Sequence, residues 1–79
     1  MRNVDTVVSM RSIDEMLWCC GRNKVEVFDK NFQLVRTIRF NFQLTSNFVQ
    51  DVAERDEETI YILYKKRLLV VEKSGNQEY

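Results

Sequence analysis

Of the chain's twelve acidic side chains many are bunched: Asp14-Glu15 in one place, then Asp51, Glu54, Asp56, Glu57 and Glu58 in another. Paired carboxylates can act as acid and base or hold calcium. This spacing fits neither use, because Arg55 interrupts the second run and no D-x-D-x-D-G loop is formed; adjacent acids between strands read as a solvated turn. Nucleophilic triads fail on composition. Ser9, Ser12, Ser46, Ser74 and the two cysteines have no histidine to serve as base, because the chain contains none. Cys19 and Cys20 are neighbours, and in a strand neighbouring side chains point to opposite faces, which is poor geometry for a disulfide. Free thiols are expected, one of them in the core. Two cysteines without histidine also fall short of the four ligands of a structural zinc site. Gly21 and Gly75 open no phosphate-binding glycine motif. The expectation is a protein that is not an enzyme and has no metal or cofactor.

The cations are the better candidates for contact with a partner. Arg22 and Lys24 flank one polar turn, and Lys65, Lys66 and Arg67 form another. A basic rim of this kind could hold phosphates. It could equally serve solubility, and 12 basic residues balance 12 acidic ones, so no global field steers a polyanion or an anionic membrane surface. With 44% hydrophobic and 30% charged residues the composition is globular. Apolar runs of five or six residues are far short of the roughly 20 that span a bilayer, and the N-terminus MRNVDTVV has no secretory core. A soluble, cytoplasmic protein is the expectation.

The elements that must position those cations come from a self-match. Leu17 to Asn31 superimposes without a gap on Ile60 to Ser74, an offset of 43 residues. Each copy is an apolar run, a polar and basic turn, a second apolar run, then an acid followed by Lys. The spacing predicts strands over Thr6–Met10, Met16–Cys20, Lys24–Asp29 and Gln33–Phe40, then over Phe48–Ala53, Thr59–Tyr64 and Arg67–Lys73. Met16–Cys20 reads as buried on both faces. Turns are expected at Arg11–Glu15, at Gly21-Arg22-Asn23, at Asp29-Lys30-Asn31 and at Ser74-Gly75-Asn76. In this register Val25 and Val27 correspond to Leu68 and Val70 as core positions, and Trp18 to Tyr61. After Tyr79 a fourth strand of the second cycle has room for three or four residues at most. Phe32, Phe40, Phe42 and Phe48 crowd the connection between cycles, where Asn31-Phe32-Gln33-Leu34 recurs as Asn41-Phe42-Gln43-Leu44; they are read as a wedge between units, with an aromatic docking patch as the other reading.

One rival organisation is a small α+β domain with hairpins. Ser12 and Glu15 form a capping-box pattern, and Thr45-Ser46-Asn47 precede a helical face of Phe48, Val49, Val52 and Ala53. These two segments do not occupy matching places in the repeat, whereas the candidate strands do, so the fold class is all-β.

The segments DEMLWCCGRNKVEVFDKNFQLVRTI and VQDVAERDEETIYILYKKRLLVVEKSGN resemble β-propeller repeats, in which V-x-D-V-A, a loop, x-I-Y-V, a turn and I-x-V-F-D succeed one another. The pattern is similar to NHL-type six-bladed propellers found at the end of tripartite-motif proteins, with WD-repeat-like propellers as neighbours. The resemblance implies a partial propeller of two antiparallel, mostly four-stranded blades: a repeat over 5–40, an incomplete one over 48–79 and a connector over 41–47. It also implies a binding or scaffold module for a protein or peptide. RNA held by the basic hairpin rim is the second choice, and a self-associating structural unit is the alternative from another class. Propellers close with typically 4–8 blades. Two blades are therefore expected to be completed by the rest of a longer propeller or by copies of this chain, a trimer giving six.

Overall fold

The computed structural model describes residues 6–40, 47–74 and 77–79. Their strands are β1 (Ser9–Ile13), β2 (Met16–Gly21), β3 (Lys24–Phe28), β4 (Leu34–Arg39), β5 (Val49–Glu54), β6 (Thr59–Tyr64), β7 (Arg67–Glu72) and β8 (Gln77–Glu78). Strands β1 to β4 form an antiparallel meander, and β8 adds to β4 in parallel; β5, β6 and β7 form a second antiparallel sheet. The described residues contain no helix, so none is long and apolar enough to cross a membrane. The capping-box residues Ser12 and Glu15 lie in β1 and its turn, and Phe48 to Ala53 enters and forms β5. The connector 41–46, with its Asn41–Leu44 echo, and the Gly75-Asn76 half of the last turn lie outside the described residues.

Two hairpins turn on residue pairs that lack the glycine such tight turns favour. Ile13 pairs with Met16 across Asp14-Glu15, and Tyr64 with Arg67 across Lys65-Lys66; all four turn residues have φ between 54° and 63°. Positive φ at both central positions makes the tight turn whose twist matches the flanking strands. This corrects the first strand: it runs from Ser9 rather than Thr6, and Arg11, Ser12 and Ile13 belong to it, paired with Trp18, Leu17 and Met16. A strand at the sheet's edge tolerates the exposed Arg11 that made the segment look like a loop.

Facing side chains of the two sheets build one core. Trp18, Cys20, Val25, Val27 and Ile38 come from the first sheet; Val49, Val52, Ile60, Ile62 and Val71 come from the second. Burying each aliphatic side chain stabilises by about 1.5–3 kcal/mol. The sheets approach most closely along β1, β2 and β5. At the far side Arg36 of β4 donates to the Lys73 carbonyl at 2.6 Å. Lys73 is itself buried, and its Nζ binds Asp14 at 2.9 Å and Glu54 at 2.7 Å, so one ammonium ties the β1–β2 turn to the end of β5. The two carboxylates raise its pKa.

Three further expectations are corrected. Val25 and Val27 are fully buried, but Leu68 and Val70 are 63% and 52% exposed; Val71 points into the core, with Leu69 packed against it. Leu68 to Val71 (LLVV) is apolar at every position, so its pattern could not tell the two faces apart. Met16–Cys20 buries Trp18 and Cys20 on one face and only half-buries Leu17 and Cys19 on the other. The last strand, β8, pairs with β4 and not with β7, which leaves the second sheet at three strands.

Candidate functional site

One end of the molecule gathers the β2–β3 and β6–β7 hairpin tips with Phe40 and Phe48, and Asn23 joins them. Its Oδ1 accepts from the Tyr64 hydroxyl at 2.5 Å and from the Asn47 amide at 3.0 Å. Its backbone N–H donates to the Asn47 carbonyl at 2.7 Å, and its carbonyl accepts from the Phe40 amide at 2.8 Å. Asn23 has φ 55°, a conformation that asparagine tolerates better than most residues. Phe40 stacks on Tyr64 with ring centroids 4.7 Å apart, and burial pushes the Tyr64 hydroxyl's pKa up.

Around this joint lies a concavity of about 370 Å³ lined by Thr6, Arg22, Lys24, Arg39 and Phe48. Arg22 forms a bridge with Phe48, and its guanidinium carbon sits 5.0 Å from that ring's centroid. Lys24 stands directly opposite Arg39 in the β3–β4 register. Like charges directly opposite on adjacent strands destabilise a sheet. Glu26, at 3.5 Å from the Lys24 ammonium, offsets part of that cost, and Glu78 stands beside Arg39 in the β4–β8 register. Gly21 borders the site, where a Cβ would come within 3.3 Å of the Thr6 carbonyl.

The five cations singled out in the sequence thus divide. Arg22 and Lys24 converge on the concavity. Lys65, Lys66 and Arg67 do not line it; they form the exposed neighbouring tip, where the Lys65 ammonium lies 5.8 Å from the Tyr64 ring centroid. Arg39, Phe48 and the joint Asn23 were not legible as site residues. The signal for Arg39 was the strand register, which sets it across from Lys24.

The opposite end is acidic, with Asp14-Glu15 in the β1–β2 turn and Arg55 to Glu58 in the β5–β6 turn. Asp56 builds the latter turn, accepting from the Glu58 and Thr59 amides and the Thr59 hydroxyl, which lower its pKa. A net charge of zero therefore conceals a basic end and an acidic end. Among the described residues no three His, Cys, Asp or Glu side chains come together as a metal would need. Both thiols are free. Burial raises the pKa of Cys19 and pushes that of Cys20 up to about 12, so neither is primed as a thiolate. Comparison with protein-family models, with curated proteins and with solved structures finds no match to this chain.

Proposed function

We propose that this chain is a non-enzymatic binding module, two blade-like meanders in the cytoplasm, whose basic end takes an acidic segment of a protein partner. The observation that carries this reading is the Lys24–Arg39 pair, two cations set face to face with Arg22 beside them around one concavity. A bound carboxylate-rich segment relieves the repulsion that the free sheet bears, and Arg22 and Arg39 offer planar forks suited to carboxylates. RNA fits less well. Single-stranded nucleic acid needs open aromatic faces for its bases, and here Arg22 lies over the face of Phe48.

Fluorescence anisotropy with a labelled Asp/Glu-rich peptide and a single-stranded RNA of similar charge tests the choice. The peptide is expected to bind, to weaken as salt rises, and to lose at least tenfold in affinity for Arg22→Glu/Arg39→Glu. Tighter binding of the RNA overturns the reading in favour of nucleic acid, and indifference of the peptide to the double variant overturns the site.

A further inference from the structure

We infer that the two outer faces of the molecule are the halves of a single interface, on which further copies of this chain stack head to tail in the way its own two sheets stack. Residues 43 positions apart hold the same place in the β2–β3 and β6–β7 hairpins, and residues 42 apart do so in β1 and β5. In the first sheet Trp18, Cys20, Val25 and Val27 face the second sheet and are buried. Their counterparts Tyr61, Leu63, Leu68 and Val70 share one face through the Tyr61–Val70 and Leu63–Leu68 pairs, and that face points away from the core. The converse also holds. Ile60, Ile62 and Val71 are buried against the first sheet, and their counterparts Leu17, Cys19 and Phe28 are half-buried on its outer face, beside the exposed Met10.

Equivalent positions therefore point the same way round in both sheets. The surface that the first sheet presents to the second is presented again by the second to solvent, and the surface with which the second sheet covers the first has its twin on the first sheet's outside. Contact between these two unlike faces repeats an interface the chain already makes. A two-fold dimer would instead set like faces together, a packing not seen among the described residues. A head-to-tail contact closes into a ring when its rotation allows. Rings of 4–8 such sheets need two to four copies. One position lags behind: Glu26 occupies on the first sheet's outer face the place that Leu69, packed against the core, occupies on the second sheet's inner face.

The inference rests on the blade-like reading of the two meanders and not on peptide binding, so sedimentation of the chain without peptide tests it separately; Lys24 and Arg39 share the first sheet's outer face with Glu26 and are left unaltered. The test is sedimentation of the full chain with two variants, each placed at exposed positions of one face. Leu68→Lys/Val70→Lys disables the second sheet's outer face, and Met10→Lys/Val35→Lys disables the first sheet's, Val35 being the exposed β4 residue that alternates with the inward Ile38. The native chain is expected at the mass of two to four chains at micromolar concentration. Each variant alone is expected at 9.5 kDa with an unchanged circular dichroism spectrum, and their mixture as a 1:1 pair that grows no further. Glu26→Leu is expected to lower the concentration for half-association at least tenfold. A native chain that stays single, a variant that still associates alone, or a mixture that stays apart overturns the head-to-tail stack; the second result assigns the contact to a two-fold dimer.

Discussion

The two sheets carry nearly the same meander, yet matching residues meet opposite fates: Trp18 is 1% exposed at the centre of the core, while Tyr61, 43 positions on, lies on the outer face of its sheet. Local propensity cannot explain this, since both segments are equally strand-forming. The neighbour decides. A strand that is apolar on both faces buries whichever face another sheet covers, so burial here is a property of the pair of sheets and not of either repeat.

The widest separation between the sheets should appear on truncating those matching aromatics. Trp18→Ala is expected to cost about 3–5 kcal/mol, because a large void opens between the sheets. Tyr61→Ala is expected to cost about 1 kcal/mol or less when the chain is single, since the outer face already meets water. Urea unfolding at low protein concentration measures both. Equal losses would mean that the second sheet's outer face is covered in the single chain as well. Trp18→Phe sharpens the contrast. The indole N–H has no partner among the described residues, so replacing the ring system removes an orphaned donor along with the packing it loses.

How much could be read in advance follows from the same contrast. The β2–β3 hairpin was legible because Gly21 and Asn23 mark the turn and Val25-Glu26-Val27 alternates. The bounds of β6 and β7 were legible from two apolar runs divided by Lys65-Lys66. Their facing was not, because TIYILY and RLLVV are apolar at successive positions and carry no period of two. The end of β1 was missed for a different reason: Asp14-Glu15 turns the chain with left-handed residues that are neither Gly nor Asn. At the basic end Arg22 and Lys24 were legible as neighbours of a turn, whereas Arg39 and Phe48 reach it only through register and a bridge, which no local spacing encodes.

Those two unusual turns give a smaller and opposite effect. Left-handed backbone costs a residue with a Cβ roughly 1–2 kcal/mol, and Asn-Gly is the pair such turns favour. Lys65→Asn/Lys66→Gly is expected to stabilise the fold by about 1–2 kcal/mol, seen as a raised urea midpoint. The same swap at Asp14-Glu15 should gain less. Asp14 holds the buried Lys73 ammonium at 2.9 Å, and its loss would leave that charge with Glu54 as its one ion-pair partner among the described residues. Equal gains at both turns would show that the Lys73 bridge contributes nothing.

The smallest expected effect comes from two carboxylates, one acting between the sheets and one within a turn. Asp51 of β5 accepts from Arg11 of β1 through Nε at 3.0 Å and Nη2 at 2.8 Å, and from Ser9 Oγ at 3.0 Å. The Val52 amide adds a further bond at 2.8 Å. These partners, Arg11 first, hold the Asp51 carboxyl well below its ordinary 3.8. Asp56 is lowered too, but by Thr59 and Glu58 of its own turn. In each case the unfolded chain takes up its proton at a higher pH than the folded chain, so in the window below about pH 4 folding stability rises with pH. The contribution is complete above that window and is lost as pH falls through it. Asp51 is 38% exposed beside a 57% exposed Arg11, so solvent screening keeps this contribution to about 1 kcal/mol or less. Asp51→Asn is expected to flatten the acid limb of the stability curve, and added salt to do so in part; Asp56→Asn should flatten it as well, with little response to salt, since its partners there are mostly uncharged amides and a hydroxyl. Identical salt responses would mean that the Arg11–Asp51 bridge does not join the sheets in solution.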